Sequence, residues 1–484
     1  MGRRSDPGRG LALDAEVIVI GSGPSGALTA ALLAEAGAQV LVLEEGPWLR
    51  VEDTEPFSAG EMAAKYRHGG ASVALGRPGV AYAEARCVGG GSEINSGLYH
   101  RTPGEVLRDW SVRQGLPACD EHALAPHFEF VEAALSVGHT AHGASAASRR
   151  LEQGAAALGW KAMAVPRWVR TDAQGRDRRE SMTRTFVPRL LAAGARLRSS
   201  CRVQRLTRND GCWELECEEG DAAAARPVRL RAADVFLCAG AIQTPALLRR
   251  SRLHSAAGSS LGMHASAKLT ALFDDVVQDT GTGVPVHQVK EFSPRISLGC
   301  SISSPAHLHV ALAAWPQGHR LVQDHWPRMA TYYAMVREGT GSVRTLPGLR
   351  DPVVRFDVGR AGLRDLHEGL VRLAQCLQAA GARELYPAAS PAPRIEAHDS
   401  PEAIARLLAP CALQLMTIHL MGSCPMAADA QRGVTGPYGA VWGQPRLWVN
   451  DASLLPDAPG VNPQGTVMAL ARRNVLHYLD HDHA

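Results

Sequence analysis

The chain has 484 residues, enough for roughly two or three domains, and its 45% hydrophobic and 20% charged residues are ordinary for a globular protein. Its 51 basic and 48 acidic residues leave a formal charge of +3, which gives no reason to expect nucleic acid or an anionic membrane as a partner. Because no apolar run reaches the roughly 18 residues of a spanning helix, we predict no membrane span.

The cysteines and the N-terminus indicate the compartment. The ten cysteines are dispersed and include no C-x-x-C pair. Residues 1–14 contain arginines but lack the apolar run of a secretory signal. We therefore expect a reduced, cytoplasmic protein, and we predict no metal site.

The first recognisable unit is a strand, a glycine turn, a helix and a second strand. The β-branched run at residues 16–20 predicts a buried strand, and it leads directly into a G-x-G-x-x-G turn. The first glycine permits a tight turn, the second lets the backbone approach a pyrophosphate, and the third lets helix and strand pack closely. The second strand, VLVL at residues 40–43, ends at an acidic pair that can accept hydrogen bonds from ribose hydroxyls. The unit predicts dinucleotide binding, either NAD or FAD, through Gly21, Gly23, Pro24, Ser25, Gly26, Glu44 and Glu45.

Further elements follow in chain order. A loop-rich stretch at residues 47–85 precedes a second glycine cluster, and residues 121–137 and 146–158 are predicted helices. Residues 195–239 alternate like a β-meander that runs into AGAIQTPALLRRS, a second strand–glycine–helix crossing. Leucines at helical spacing over residues 363–377 predict one amphipathic helix, which Gly381 stops.

Five separate stretches resemble the glucose–methanol–choline (GMC) oxidoreductases, flavoproteins that oxidise alcohols with FAD. They are the first strand–helix–strand unit, CVGGGSEIN, AGAIQTPALLRRS, HLMGSCPM and VNDASLLPDAPGVNPQGTVMAL, spread over residues 16–474. In one departure, Arg252 follows Ser251 where the family pattern has glycine, which we interpret as a local loop change. The Asn-Pro pair at residues 462–463 resembles the cholesterol-oxidase, pyranose-oxidase and long-chain alcohol-oxidase branches.

The resemblance implies a fold and a domain organisation. The fold is α/β, with a three-layer, Rossmann-like FAD-binding domain and a discontinuous α+β substrate-binding domain that carries a large antiparallel sheet. The implied FAD-binding domain comprises residues 14–104, 195–262 and 410–484. The implied substrate-binding domain comprises residues 105–194 and 263–409.

The resemblance also implies FAD rather than NAD, and it extends the list of cofactor contacts. Ile94 stands where covalent family members carry the linking histidine, so we predict non-covalent FAD. Val203 would offer backbone hydrogen bonds to the adenine. A pyrophosphate repels a carboxylate, so we expect Asp451 to contact hydroxyls or backbone N–H groups. The additional implied contacts are Gly89, Gly90, Gly91, Ser92, Asn95, Gly97, Val203, Ala239, Gly240, Asp451, Ala452, Asn462, Pro463 and Thr466.

By the same resemblance, His419 and Asn462 face the reactive edge of the flavin. Alcohol oxidation sends a hydride to flavin N5 and needs a base for the hydroxyl proton. A histidine with an ordinary pKa near 6.5 can be that base, whereas asparagine can only orient the substrate oxygen. We therefore predict His419 as the base, Asn462 as its partner, and His100 as a structural or pocket-wall residue.

The predicted function is oxidation of an alcohol, such as a sugar, a glycoside or a natural-product intermediate, to the aldehyde or ketone. Molecular oxygen or another carrier would reoxidise the flavin. Two alternatives stay open at this point: a GMC-type lyase without net redox, and a non-catalytic flavin-binding protein.

Overall fold

The computed structural model describes residues 13–50, 53–139, 144–173, 177–220, 224–278 and 283–481. Residues 1–12, which include most of the stretch interpreted as lacking a secretory signal, lie outside these ranges. No helix within the described ranges is both long and apolar enough to cross a bilayer.

The helices, in chain order, are α1 (Pro24–Glu35), α2 (Ala59–Lys65), α3 (Gly104–Gln114), α4 (Glu121–Ala134), α5 (Ala146–Ala157), α6 (Phe186–Ala192), α7 (Gly240–Arg250), α8 (Pro305–Ala311), α9 (Gly318–His325), α10 (Gly359–Ala379), α11 (Pro401–Leu408) and α12 (Gln464–His481). Short 3-10 turns lie at Arg67–Gly70, Gly90–Glu93, Trp326–Arg328 and Ala452–Leu454.

The strands are β1 (Ala15–Ile20), β2 (Val40–Leu43), β3 (Ser72–Ala74), β4 (Val80–Tyr82), β5 (Val137–Gly138), β6 (Ala162–Ala164), β7 (Arg167–Thr171), β8 (Asp177–Arg179), β9 (Arg196–Arg198), β10 (Cys201–Asn209), β11 (Cys212–Glu219), β12 (Arg226–Leu237), β13 (Gly262–Met263), β14 (Ala265–Phe273), β15 (His287–Val289), β16 (Ile296–Cys300), β17 (Met329–Val336), β18 (Thr340–Arg344), β19 (Val353–Asp357), β20 (Ala382–Pro387), β21 (Ala389–Ser390), β22 (Ile395–Glu396), β23 (Ala412–Leu413), β24 (Leu415–Thr417), β25 (Leu420–Met421) and β26 (Leu447–Val449).

The first sheet has seven strands in the order β10-β11-β12-β1-β2-β9, with β26 also paired to β12. Its centre is parallel, because β1 runs parallel to both β12 and β2, while β10, β11 and β12 form the predicted antiparallel meander. Five of the six residues of β1 are buried, as expected for a strand covered on both faces. Helix α1 packs against α12 and α6 beside this sheet.

The second sheet has ten strands along the path β3-β4-β24-β14-β17-β16-β15-β6, with β20 paired to β14 and β22. Helix α10 packs against β14, β16 and β17 through the predicted leucine stripe, and Leu366, Leu370 and Leu373 are buried there. The predicted mixed α/β class with a large sheet is confirmed.

We keep the domain boundaries as a proposal. Every strand of the first sheet comes from the segments assigned to the FAD-binding domain. The second sheet combines strands of the proposed substrate-binding domain with β3, β4 and β24 from the other segments.

Candidate active site

The glycine turn between β1 and α1 leaves no room for side chains. Gly21 has φ +104°, and a Cβ there would lie 2.3 Å from the carbonyl oxygen of Cys238. A Cβ on Gly26 would lie 2.0 Å from the Gly21 carbonyl oxygen, so the helix and the turn touch directly. Gly23 caps α1 without any side-chain hydrogen bond, which leaves the first N–H groups of the helix free to bind an anion.

The second glycine cluster lies against the first. Gly90 has φ +54°, and a Cβ there would come within 2.7 Å of the Gly23 Cα atom. A Cβ on Gly91, by contrast, would meet nothing within 4 Å. Two loops therefore present bare backbone at one place, which fits the close approach of a dinucleotide.

The two acidic residues after β2, Glu44 and Glu45, have different roles. Glu44 is buried, and its carboxylate accepts hydrogen bonds from Ser22 N at 3.0 Å, Ser22 Oγ at 2.7 Å and Gly46 N at 2.8 Å. Burial raises the pKa of Glu44, and these hydrogen bonds oppose the rise. Glu44 therefore braces the glycine turn in addition to facing the cavity.

Glu45 belongs to a charged cluster with Arg67 and Arg202. Its carboxylate pairs with both terminal nitrogens of Arg67, at 2.7 and 3.1 Å, and lies 3.5 Å from Arg202. Burial alone would raise the pKa of Glu45, but the hydrogen bonds and charges of these arginines lower it to about 2. The carboxylate is therefore ionised and paired with these arginines.

Asp451 joins the start of α7 to the turn that follows β26. Its Oδ2 atom accepts from Gly240 N at 2.7 Å and from Thr244 Oγ1 at 2.6 Å. Its Oδ1 atom accepts from Ser453 N at 2.8 Å. The carboxylate therefore contacts hydroxyl and N–H groups of the protein itself.

One cavity of about 300 Å³ runs past both glycine clusters to the predicted catalytic pair. Of the predicted site residues, those that line it are Gly21, Gly23, Pro24, Ser25, Glu44, Glu45, Gly90, Gly91, Asn95, Gly97, Val203, Ala239, Gly240, His419, Asp451, Ala452, Asn462 and Pro463. Four others, Gly26, Gly89, Ser92 and Thr466, do not line it. Ser92 serves the loop instead, since its hydroxyl donates to Gly89 O and accepts from Met182 N.

Several lining residues escaped the sequence analysis. Some come from segments without a motif, and others lie in motif stretches without having been assigned a role. The polar and aromatic ones outside the motifs are Tyr66, Arg67, Glu84, Ser96, Trp168 and Arg202, and those inside them are Gln243, Arg250 and Gln464.

The predicted catalytic pair is assembled in the structure. The side-chain amide of Asn462 lies 3.3 Å from His419 Nε2. Burial, and then the positive charge of Lys290, lower the pKa of His419 to about 4. Gln288 links the pair to the second sheet, because its Nε2 atom donates to Asn462 Oδ1 at 3.4 Å and to the Tyr333 hydroxyl at 3.0 Å. Because its pKa is about 4, His419 is neutral at physiological pH.

A second histidine lies behind the first. His264 is fully buried, its Nδ1 atom lies 3.0 Å from His419 Nδ1, and its Nε2 atom accepts from Gly460 N at 2.9 Å. A backbone N–H can only donate, so Nε2 of His264 must be the acceptor. Neutral His264 therefore carries its proton on Nδ1 and donates it to His419. His419 then carries its own proton on Nε2. The Asn462 and Gln288 amides can be turned over together to match, because the oxygen and nitrogen positions of an amide are interchangeable. The Tyr333 hydroxyl then donates to the Gln288 oxygen.

His100 was predicted to be a structural or pocket-wall residue. It is buried, and neither of its ring nitrogens makes a well-formed hydrogen bond with the described residues. Burial, and then the charges of Lys290 and His419, hold its pKa well below the usual value, and the nearby side chain of Asn462 opposes that shift. His100 is not among the residues that line the cavity, so its role as a structural or pocket-wall residue stays a prediction.

Comparisons with known proteins indicate the family and the fold. The chain matches two GMC oxidoreductase family models, over residues 62–266 and 339–471, and an FAD binding domain model over residues 14–53. The uncharacterized GMC-type oxidoreductase y4nJ of Sinorhizobium fredii (strain NBRC 101917 / NGR234) is 36% identical, over 97% of this chain and 96% of its own length. Long-chain-alcohol oxidase FAO3 of Arabidopsis thaliana is 25% identical, over 94% of this chain and 66% of its own length. Pyridoxine 4-oxidase from Mesorbium loti has the same fold, with a TM-score of 0.74 at 19% identity, covering 97% of this chain and 100% of that one.

Proposed function

We propose, because this chain belongs to the GMC oxidoreductase family and is an FAD-dependent oxidoreductase, that it oxidises a small alcohol to the aldehyde or ketone. The observation that supports this most is the contact between His419 and Asn462 at the end of the cavity. Bound FAD supplies the hydride acceptor for the carbinol carbon. The final electron acceptor would be molecular oxygen or another carrier.

We propose that the residues lining the cavity hold FAD without a covalent bond. The free N-terminus of α1 and the bare backbone at Gly23 and Gly91 suit the pyrophosphate. Ile94 lines the same cavity and cannot form the histidyl link of covalent family members. The ten cysteines are all free, which supports a reducing, cytoplasmic location as part of the same proposal.

We propose that Asn462 orients the substrate oxygen and that His419 receives its proton. In the resting hydrogen bonds Nε2 of His419 carries a proton, so this role requires the two histidines to exchange tautomers. His419 then donates from Nδ1 to His264 Nδ1, and its free Nε2 accepts the hydroxyl proton. The exchange breaks the hydrogen bond from Gly460 N to His264. It leaves a buried donor without an acceptor, which costs about 1–3 kcal/mol. The base-competent form is therefore a minor form, and His264 controls its population.

Anaerobic mixing with alcohols tests the proposed function. The purified yellow protein is mixed with a panel of alcohols, and the absorbance of the oxidised flavin is followed. Bleaching with formation of aldehyde or ketone is the expected result. Cleavage of a cyanohydrin without bleaching would indicate a lyase instead, and a flavin that no compound affects would indicate a non-catalytic protein.

A further inference from the structure

One face of the ten-stranded sheet is polar and meets the catalytic pair. Alternate residues of β14, such as Ala267 and Leu269, are buried in the core that includes α10, so Lys268 between them points to the opposite face. The register then places Tyr333 opposite Lys268. Gly299 on the next strand pairs with both Tyr333 and Gln288, and Gln288 contacts Asn462.

Two lysines occupy this face without a counter-ion. Lys268 hydrogen-bonds Ser301 and lies 5.5 Å from the ring centre of Tyr333. Lys290 donates to Ser297 Oγ at 3.1 Å. Throughout the part of the chain that the structure describes, neither ammonium group lies within salt-bridge distance of a carboxylate.

Lysine is rare in this chain. Only four lysines occur among its 51 basic residues. Lys65 pairs with buried Glu61 at 2.9 Å, and Lys161 is exposed. Lys268 and Lys290 are half-buried, and a half-buried cation without a counter-ion is costly. Two such lysines on the sheet face that meets the catalytic pair therefore indicate a site for an anion.

We propose that this face receives an anionic group of the substrate, so that the enzyme oxidises an alcohol that also carries a carboxylate or a phosphate. This inference rests on the proposed alcohol oxidation. Lys290 makes the direct contact, because it follows Gln288 by two residues on the same face, and the side chain of Gln288 contacts Asn462 at 3.4 Å. Its charge also acts on His419, His264 and His100. The serines that hold the two ammonium groups, Ser297 and Ser301, are separated by about 13 Å of extended chain. A single anion therefore contacts only one lysine, and Lys268 adds to the positive potential of the face.

The pH dependence of binding follows from the burial of the lysines. Burial lowers the pKa of Lys290 and of Lys268 to about 8 in each case. The charged and titratable groups that face Lys290 are the three histidines just named, and those that face Lys268 are Cys300, His307 and Tyr333. An anion binds the ammonium form, so KM for an anionic alcohol rises as the pH passes about 8. KM for a neutral alcohol does not share that rise.

Matched pairs of alcohols test the inference on the FAD-loaded enzyme. One pair is 4-(hydroxymethyl)benzoate and 4-methylbenzyl alcohol, and the other is glycerol 3-phosphate and glycerol, so the two pairs separate carboxylate from phosphate. The wild type should reduce its flavin at least 10-fold more efficiently with the anionic member of one pair. Lys290→Met should lower the ratio of kcat/KM for the anionic member to that for the neutral member by about 10- to 100-fold, the usual loss of a hydrogen bond to a charged group. Lys161→Met, at an exposed lysine, is the matched control and should keep the preference.

Binding of a non-reacting anion separates this inference from the proposed function. Benzoate and its neutral isostere benzamide are titrated while the flavin spectrum is followed. Tighter binding of benzoate that Lys290→Met abolishes supports the anion site, even if no alcohol reduces the flavin. Equal binding of both compounds, or an anion preference that survives Lys290→Met, would overturn the inference even if neutral alcohols are oxidised.

Protein stability provides the check on misfolding. Removing a half-buried cation without a counter-ion should leave the melting temperature of Lys290→Met unchanged or raised, whereas a purely structural lysine would lower it. If the methionine variant fails to retain flavin, Lys290→Gln carries the same test with a polar side chain. A lowered melting temperature together with an unchanged anion preference would assign Lys290 a structural role and overturn the inference.

Discussion

Replacing His264 by aspartate should reverse the proton arrangement of the catalytic histidine. An ionised carboxylate at this position can only accept, so His419 must present its proton on Nδ1 and keep a free lone pair on Nε2. The tautomer exchange that costs the wild type about 1–3 kcal/mol is then unnecessary. At 1.36 kcal/mol per tenfold, flavin reduction by a neutral alcohol should be roughly 5- to 150-fold faster.

The same substitution should move the pH profile. Burial holds the pKa of His419 at about 4, so the wild-type rate should be flat at neutral pH and fall only as the pH drops through that value. The ordinary histidine pKa near 6.5, used in the sequence analysis, would put that fall near neutrality instead. A carboxylate beside Nδ1 favours the protonated ring, so His264→Asp should raise the pKa of His419 and shift the fall to higher pH.

The assay is stopped-flow reduction of the flavin under anaerobic conditions, from pH 4 to 9. His264→Asn is the matched control, since it has nearly the same shape as aspartate but no charge and can donate or accept. It should not shift the profile upward. Identical rates and pH profiles for His264→Asp, His264→Asn and the wild type would refute the role assigned to His264.

His419→Ala should retain FAD and slow flavin reduction by roughly 10²- to 10⁴-fold, with loss of the ionisation that the wild type shows; an unchanged rate and profile would assign the base elsewhere. Asn462→Ala should also be slower but keep that ionisation, because it affects orientation rather than proton transfer; loss of the ionisation in this variant would contradict the division of roles. Glu44→Ala should release FAD more readily on dilution, because Ser22 and Gly46 lose their hydrogen-bond acceptor at a cost of about 1–3 kcal/mol; a flavin content equal to the wild type would argue against that brace. Acid precipitation should leave the yellow colour in the supernatant, because Ile94 cannot bond covalently to the flavin, and a yellow pellet would reject non-covalent binding.

Local patterns predicted the parts of the fold that depend on neighbouring residues. The glycine turn at Gly21 and the leucine stripe over residues 363–377 are both where the sequence indicated, because steric freedom and helical period are local properties. The ten-stranded sheet was expected only from a family resemblance. Its strands β3, β4 and β24 come from distant segments, and pairing between such segments leaves no local pattern.

The same limit applies to the candidate site. His419 and Asn462 lie in quoted motifs, whereas His264 lies in none of the five motif stretches and is identified by its contact with His419. The alternation of HASAKLT at residues 264–270 was the one available signal, since it places His264 and Lys268 on the same face of a strand. Which face of this strand meets the flavin depends on tertiary packing, so it cannot be predicted from the segment alone.

The most direct test of alcohol oxidation is the stoichiometry of a single turnover. The FAD-loaded enzyme is mixed anaerobically with an alcohol that bleaches it, and the carbonyl product is counted against the flavin reduced. We predict one aldehyde or ketone for each flavin reduced, with the yield of the His419→Ala variant rising far more slowly. Carbonyl formation without reduction of the flavin, or reduction without a carbonyl product, would contradict the proposed reaction.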